Sequence, residues 1–236
     1  MTVPPALGAP RLHFASVGST SDVARDLAVG GAPHGALVTA AAQTAGRGRQ
    51  GRAWTTQPGS AVAMSMVLRA FDPLLTLAAA VAVARACGDA AQIKWPNDIL
   101  IEGRKVAGIL AEGRPGEGWV VLGIGVNVAV RIEDLPEELR GRAGTLGRSL
   151  ADVEPFLSSL LAHLEVALAA GPGETLAAWR ARDVLLGEEI GWGEERGIAR
   201  GIDDDGHLVV ERADGSRTAL HAGEVHLAPR PAPPAG

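Results

Sequence analysis

The sequence predicts a mixed α/β (α+β) fold: a β-sheet backed by helices, followed by a small all-β barrel-like module. Three observations carry this expectation. Strand-like and helical apolar patterns are interleaved from Leu12 to Arg182. From Gly187 to Leu227 only short strand patterns remain, separated by turns at Asp203-Asp204-Asp205-Gly206 and Ala213-Asp214-Gly215-Ser216, and Asp-Gly pairs between alternating apolar residues signal hairpins. The length of 236 residues, 47% of them hydrophobic, suits one large domain or a large and a small one with a sizeable core.

Taken in order, residues 1–10 are rich in Pro and Ala and are expected to be disordered. Leu12 to Val17 reads as a first strand. Ser19-Thr20-Ser21-Asp22 opens a helix to about Val29, because Ser and Thr cap helices well and Asp22 suits the positive end of the dipole; Gly30-Gly31 stops it. Ala36 to Ala42 is a buried strand. Ser60 to Ala70 alternates Val62, Met64, Met66 and Leu68, a strand pattern. Leu74 to Ala86 is apolar nearly all round, as a helix buried against a sheet would be. Glu102-Gly103-Arg104 is a hairpin turn between two short apolar strands. Trp119 to Val130 is a strand interrupted by Gly123, Gly125 and Asn127, and glycines inside a strand mark close approach by a ligand or another backbone. Pro136 to Arg182 is helical in pattern, with Phe156, Leu157, Leu160, Leu161, Leu164 and Leu168 at helical spacing. The expected division is thus 1–10 disordered, 11–184 the larger α/β domain, 185–228 the β module and 229–236 a disordered Pro/Ala tail.

Composition removes several function classes. Lys and Arg number 22 against 27 Asp and Glu, a net charge of −5, which argues against a general nucleic-acid binder. Cys87 is the only cysteine, so neither an internal disulfide nor a Cys-based metal site can form, and it reads as a small buried hydrophobe. The triple aspartate lacks the EF-hand spacing, and no metal site is expected. No signal peptide or membrane span is evident, and a cytoplasmic enzyme is the natural reading.

Basic charge is concentrated between the second and third strands, in Gln43-Thr44-Ala45-Gly46-Arg47-Gly48-Arg49-Gln50-Gly51-Arg52-Ala53-Trp54. Glycine allows close backbone approach, and arginine offers a fixed fork to carboxylate or phosphate oxygens. Alone, this loop is compatible with a solvated surface segment or with an anion clamp, and it does not say which anion.

Four segments ask for a common explanation: Ser19-Thr20, the Arg-Gly loop, Lys94-Trp95-Pro96-Asn97-Asp98 with Arg104-Lys105-Val106-Ala107-Gly108-Ile109-Leu110, and Gly125-Val126-Asn127. In this order they resemble the catalytic domain of biotin protein ligases, and Gly187 to Leu227 is similar to that family's C-terminal SH3-like module. The resemblance covers most of the chain. It implies a class II synthetase-like catalytic domain and two reactions. The carboxylate of biotin attacks the α-phosphorus of MgATP, giving biotinyl-5′-AMP and pyrophosphate; a lysine of a biotin carboxyl carrier domain then takes the biotinyl group and releases AMP.

The resemblance also implies roles. Ser19, Thr20, Ser21 and Gln43, with Gly46, Arg47 and Gly48 of the loop, would hold the ureido head of biotin. Arg47 and Arg49 would close over its carboxyl group and the phosphate, and Lys105 would stand beside the α-phosphate, so these three are the expected catalytic residues. Gly108 would keep the pocket wall thin. Arg49, Arg52, Trp54, Asn97, Lys105 and Asn127 would meet the nucleotide, and Trp54 and Lys105 would touch biotin as well; for Trp54, core packing is an open alternative. Asp98 is either a turn residue, a help to Mg²⁺, or a partner of the incoming lysine. Two departures stand out: Ser21 replaces the Asn that often follows Ser-Thr, and the chain begins almost directly at the catalytic domain, so the winged helix-turn-helix of some relatives, and DNA binding with it, is not expected. Relatives that dimerise do so through sheet edges, which leaves a homodimer open. Lipoate or octanoate transfer is the nearest rival, and a non-catalytic biotin- or nucleotide-binding regulator is the rival from another class; RNA binding through the loop is disfavoured by the acidic total.

Overall fold

The computed structural model describes residues 7–69, 71–113, 116–221, 223 and 225–227. Seven strands form the large sheet: β1 (Arg11–Phe14), β2 (Leu37–Ala40), β3 (Ala61–Leu68), β4 (Gln92–Lys94), β5 (Asp98–Ile101), β6 (Arg104–Gly113) and β7 (Val120–Asn127). Their spatial order is β1-β2-β3-β7-β6-β5-β4. Only β1 and β2 run parallel, and helix α1 (Thr20–Val29) joins them, as a parallel pair requires a crossover. The turn between β5 and β6 has both central residues in the left-handed region, Glu102 at φ 51° and Gly103 at φ 72°, which matches the twist of a two-residue hairpin.

Alternation along the strands divides the sheet into two faces. Leu37, Met64, Met66, Leu122 and Ile124 pack on the side of helix α2 (Leu75–Cys87) and helix α4 (Val153–Ala169). Val38, Val67 and Val121 pack with Ala24 and Ala28 of α1 on the other side. The α1 side is therefore only partly covered, and the rest of it is open to a ligand.

The expected helical run from Pro136 to Arg182 needs correction. A single-turn helix α3 (Glu137–Arg140) is followed by irregular chain to Ser149, then α4 and α5 (Pro172–Arg180). The irregular stretch is held by backbone pairing with β6, Lys105 N–H to Arg142 O at 2.8 Å and Gly144 N–H to Lys105 O at 2.8 Å, which outweighs local propensity. Leu7 to Pro10, expected to be disordered, are in place, with Gly8 N–H donating to Gly35 O at 2.9 Å; residues 1–6 and the tail after Leu227 lie outside the described residues.

Strands β8 (Glu189–Trp192), β9 (Glu195–Ile202), β10 (Leu208–Glu211), β11 (Arg217–Leu220) and β12 (His226–Leu227) form an antiparallel sheet in the order β11-β10-β9-β8-β12. Its inner residues Ile190, Ala199, Ile202, Leu208 and Val210 join the main core. Trp95 Nε1–H donates to Gly206 O at 3.1 Å, so the turn between β9 and β10 is tied to the Lys-Trp-Pro-Asn-Asp segment. No helix among the described residues is long and apolar enough to cross a membrane.

Candidate active site

A cavity of about 580 Å³ opens on the α1 side of the large sheet. Its floor is made where small residues face each other across strands: Ser65 of β3 opposite Gly123 of β7, and Gly125 of β7 opposite Gly108 of β6. Larger side chains at these positions would fill the space.

One end of the cavity is neutral and rich in hydroxyls. Gln43 Oε1 accepts from Thr20 N–H at 2.8 Å and lies 3.1 Å from the Thr20 hydroxyl. The fully buried Ser65 hydroxyl is 2.8 Å from Thr20 Oγ1 and 3.0 Å from Ser21 Oγ. Helix α1 begins here because Ser19 caps it, its Oγ accepting from Ser21 N–H at 3.3 Å. That task turns Ser19 away, and it does not line the cavity, whereas Thr20, Ser21 and Gln43 do.

The other end is cationic. Arg47, Arg49, Arg52, Lys94, Lys105 and Arg142 line the cavity against two carboxylates, Asp98 and Glu138. An excess of four positive charges in a chain of net charge −5 is a local field suited to anions. Lys105 Nζ lies 2.5 Å from Asp98 Oδ1 and 5.7 Å from the centre of the Trp54 ring, so its position is fixed by an ion pair and a cation–π contact. Asn97 links strand to loop: its Nδ2–H donates to Ile109 O at 2.6 Å and its Oδ1 accepts from Arg49 Nη1–H at 3.2 Å.

The Arg-Gly loop is a closed hairpin. Gly48 N–H donates to Arg52 O at 2.7 Å and Trp54 N–H to Gly46 O at 2.9 Å. Gly46 does not line the cavity; a Cβ there would collide with the carbonyl oxygen of Trp54. The loop delivers the Trp54 indole onto the sheet floor, where a Cβ on Gly108 would stand 3.2 Å from Lys105 Cε and 3.3 Å from the indole. Gly108 lines the cavity and also makes room for Lys105 and Trp54. Two polar atoms at this end, Trp54 Nε1 and Asn127 Oδ1, are buried without a hydrogen-bond partner, although Asn127 Nδ2–H donates to Gly144 O at 2.8 Å. Leaving such groups unpaired costs about 1–3 kcal/mol each.

Sequence reasoning missed Ser65, Arg142 and the contribution of His226 and Leu227 from the small module, all of which line the cavity. Ser65 had a readable signal, a lone hydroxyl in an apolar strand. Arg142 and His226 had none, since only the chain's path brings them here. Elsewhere among the described residues, Asp203, Asp205 and His207 group three potential metal-ligand atoms, in the hairpin turn of the small module and not in the cavity.

Fold and cavity thus define an anion-handling site on a mixed sheet with a β-module attached. Residues 14–128 match the Biotin/lipoate A/B protein ligase family and residues 187–227 the biotin protein ligase C-terminal domain. The chain is 35% identical to the bifunctional ligase/repressor BirA of Bacillus spizizenii, over 89% of this chain and 72% of that one. It is also 35% identical to the biotin–[acetyl-CoA-carboxylase] ligase of Mycobacterium tuberculosis, over 90% and 87%. Among solved structures, biotin protein ligase from Aquifex aeolicus in complex with biotin and ATP superposes with a TM-score of 0.80 at 26% identity, covering 93% of this chain and 100% of that one. The chain belongs to the biotin protein ligase family.

Proposed function

We infer that the chain is an ATP-dependent ligase that joins biotin to a lysine of a biotin carboxyl carrier domain by way of biotinyl-5′-AMP. The observation that carries this reading is the polarity of the cavity: a neutral hydroxyl-and-amide end meets a cationic end, with the Arg-Gly loop between them. The ureido head of biotin carries N–H and C=O groups but no charge, and it suits Thr20, Ser21, Gln43 and Ser65. Its carboxylate then points to Arg49 and Lys105. Trp54 and Asn127, each with a buried unpaired atom, mark the nucleotide side, with Arg52 and Asn97 nearby.

The first step brings two anions together. An oxygen of the biotin carboxylate forms a bond to the α-phosphorus, the bond to the bridging oxygen of pyrophosphate breaks, and pyrophosphate leaves with that electron pair. Lys105 and Arg49 lower the repulsion where the anions meet, in a site whose charges are fixed before reaction. In the second step the carrier's lysine amine attacks the acyl carbon, the acyl–phosphate bond breaks, and AMP leaves while the amine loses a proton. The mixed anhydride is open to hydrolysis, so the closed loop also keeps water out. Mg²⁺ would enter with the triphosphate and would lower its charge repulsion; the cavity-lining carboxylates that could hold it are Asp98 and Glu138.

The reading extends to a cytoplasmic enzyme whose protein substrate is the carrier domain. Strand β1, at the edge of the large sheet with Leu12 exposed, is the surface a second copy would pair with. Incubation with MgATP, biotin and a purified carrier domain should add one biotinyl mass to the carrier's lysine. A carrier modified equally by lipoate or octanoate would overturn the substrate assignment.

A further inference from the structure

The three loop arginines do not share one task. Arg47 lines the cavity together with Arg49 and Arg52, but its guanidinium is also held by two carboxylates from separate elements. Its Nη2 lies 2.8 Å from Asp22 Oδ1, in the first turn of α1, and 3.3 Å from Glu112 Oε2 on β6. Arg25 completes the group, 3.0 Å from Asp22 and 3.6 Å from Glu112. Two guanidinium groups and two carboxylates therefore alternate. The loop, helix α1 and strand β6 are joined at that point, which closes the cavity over the hydroxyl end.

We propose that Asp22 and Glu112 are positioning residues for adenylate formation and retention: they latch the Arg-Gly loop shut by holding the side chain of Arg47, while Arg25 fixes both carboxylates in place. Arg47 then contributes its backbone to the cavity and its charge to the latch. Besides the latch, the loop has its own hairpin bonds, the bonds of Thr44 N–H to Val17 O at 2.9 Å and Ala45 N–H to Gly18 O at 2.7 Å at its entrance, and the Arg49–Asn97 contact; the latch is the side-chain tie between the loop, α1 and β6. All four side chains are one-third to one-half exposed, so the latch is open to salt and is weak enough to reopen in each cycle. This rests on the ligase reading for its second readout only.

The test uses Asp22→Asn, Glu112→Gln and Arg47→Ala in the whole protein. The first readout is amide hydrogen exchange of residues 44–53 without any ligand. The latch predicts about five- to tenfold faster exchange there in each variant, the size expected for two partly exposed ion pairs, with exchange in α2 and α4 unchanged. Raising salt should bring the wild type to the variants' level and leave the variants where they are. The second readout is release of biotinyl-AMP, which should quicken by a similar factor, with KM for biotin raised more than kcat is lowered. Arg47→Lys should restore part of both effects. Loop exchange equal to wild type in both carboxylate variants would overturn the latch. Faster exchange in a protein that makes no adenylate would leave the latch standing and refute the ligase reading instead.

Discussion

The indole of Trp54 occupies the space that a side chain on Gly125 would need: a Cβ there would stand 2.5 Å from Trp54 Cε2 and 2.8 Å from Nε1. The glycine in β7 and the tryptophan at the end of the Arg-Gly loop are therefore one feature. The sheet is thinned so that the loop can lay an aromatic ring on it.

It follows that Gly125→Ala should push the indole off the floor. Overpacking of this kind costs about 1–3 kcal/mol, and the displaced ring should weaken nucleotide binding more than biotin binding. Isothermal titration of the variant with ATP and with biotin separately would check the order. Equal losses for both would mean that Trp54 is only a packing residue.

Lys105 is positioned by Asp98 and Trp54 and stands in the cationic end of the cavity. Lys105→Met should lower the rate of adenylate formation by about a hundredfold or more, as loss of a preorganised charge does. Stability should change by less than about 1 kcal/mol, because the pair it breaks is partly exposed. Single-turnover kinetics and thermal unfolding of the same preparation give both numbers.

Ser65 is fully buried and shared between Thr20 and Ser21. Ser65→Ala removes the hydroxyl that orders both, so affinity for biotin should drop by about tenfold, the value of a hydrogen bond of roughly 1–1.5 kcal/mol. The KM for ATP should hardly move. A matched loss for ATP would place Ser65 in general sheet stability.

Asp183 lies between α5 and the small module, where it bridges to Ile93. Burial pushes its carboxyl up to about 6, against which the Leu185 N–H bond acts only in part, and its Oδ2 has no hydrogen-bond partner. The folded state thus keeps this proton to higher pH than the unfolded chain does. Stability falls as pH rises from about 4 to about 6 and is level above that, as far as this group is concerned. Asp183→Asn should flatten that slope and stabilise the protein at pH 7 by about 1 kcal/mol, discounted for partial exposure. Urea midpoints at pH 4.5 and 7 for both proteins would measure it; a steeper slope in the variant would contradict the assignment.

Much of this was legible in the sequence because local patterns and spacing carried it. Alternation in β3, the glycine-turned hairpin at Glu102-Gly103 and the Asp-Gly turns of the small module each follow from short-range chemistry. The Arg-Gly loop suited an anion by residue type, but it took the family resemblance to choose that reading over a solvated loop and to single out Lys105. What escaped depends on chain path. The irregular run from Gly141 to Ser149 reads as helix until β6 claims its backbone, and Arg142 becomes a cavity residue only through that pairing. Asp22 looked sufficient as a partner for the helix dipole, and nothing in sequence tells that Arg47 and Glu112 meet it in space. Gly108 and Gly125 signalled close approach, but not that the approaching group is the protein's own tryptophan.

The most direct measurement is pyrophosphate release from MgATP with biotin, lipoate or octanoate supplied one at a time. A cavity with an uncharged hydroxyl-and-amide end facing a cationic end predicts release with biotin and background with the other two. Release with lipoate or octanoate at a comparable rate, or none with biotin under conditions where biotin is bound, would contradict it.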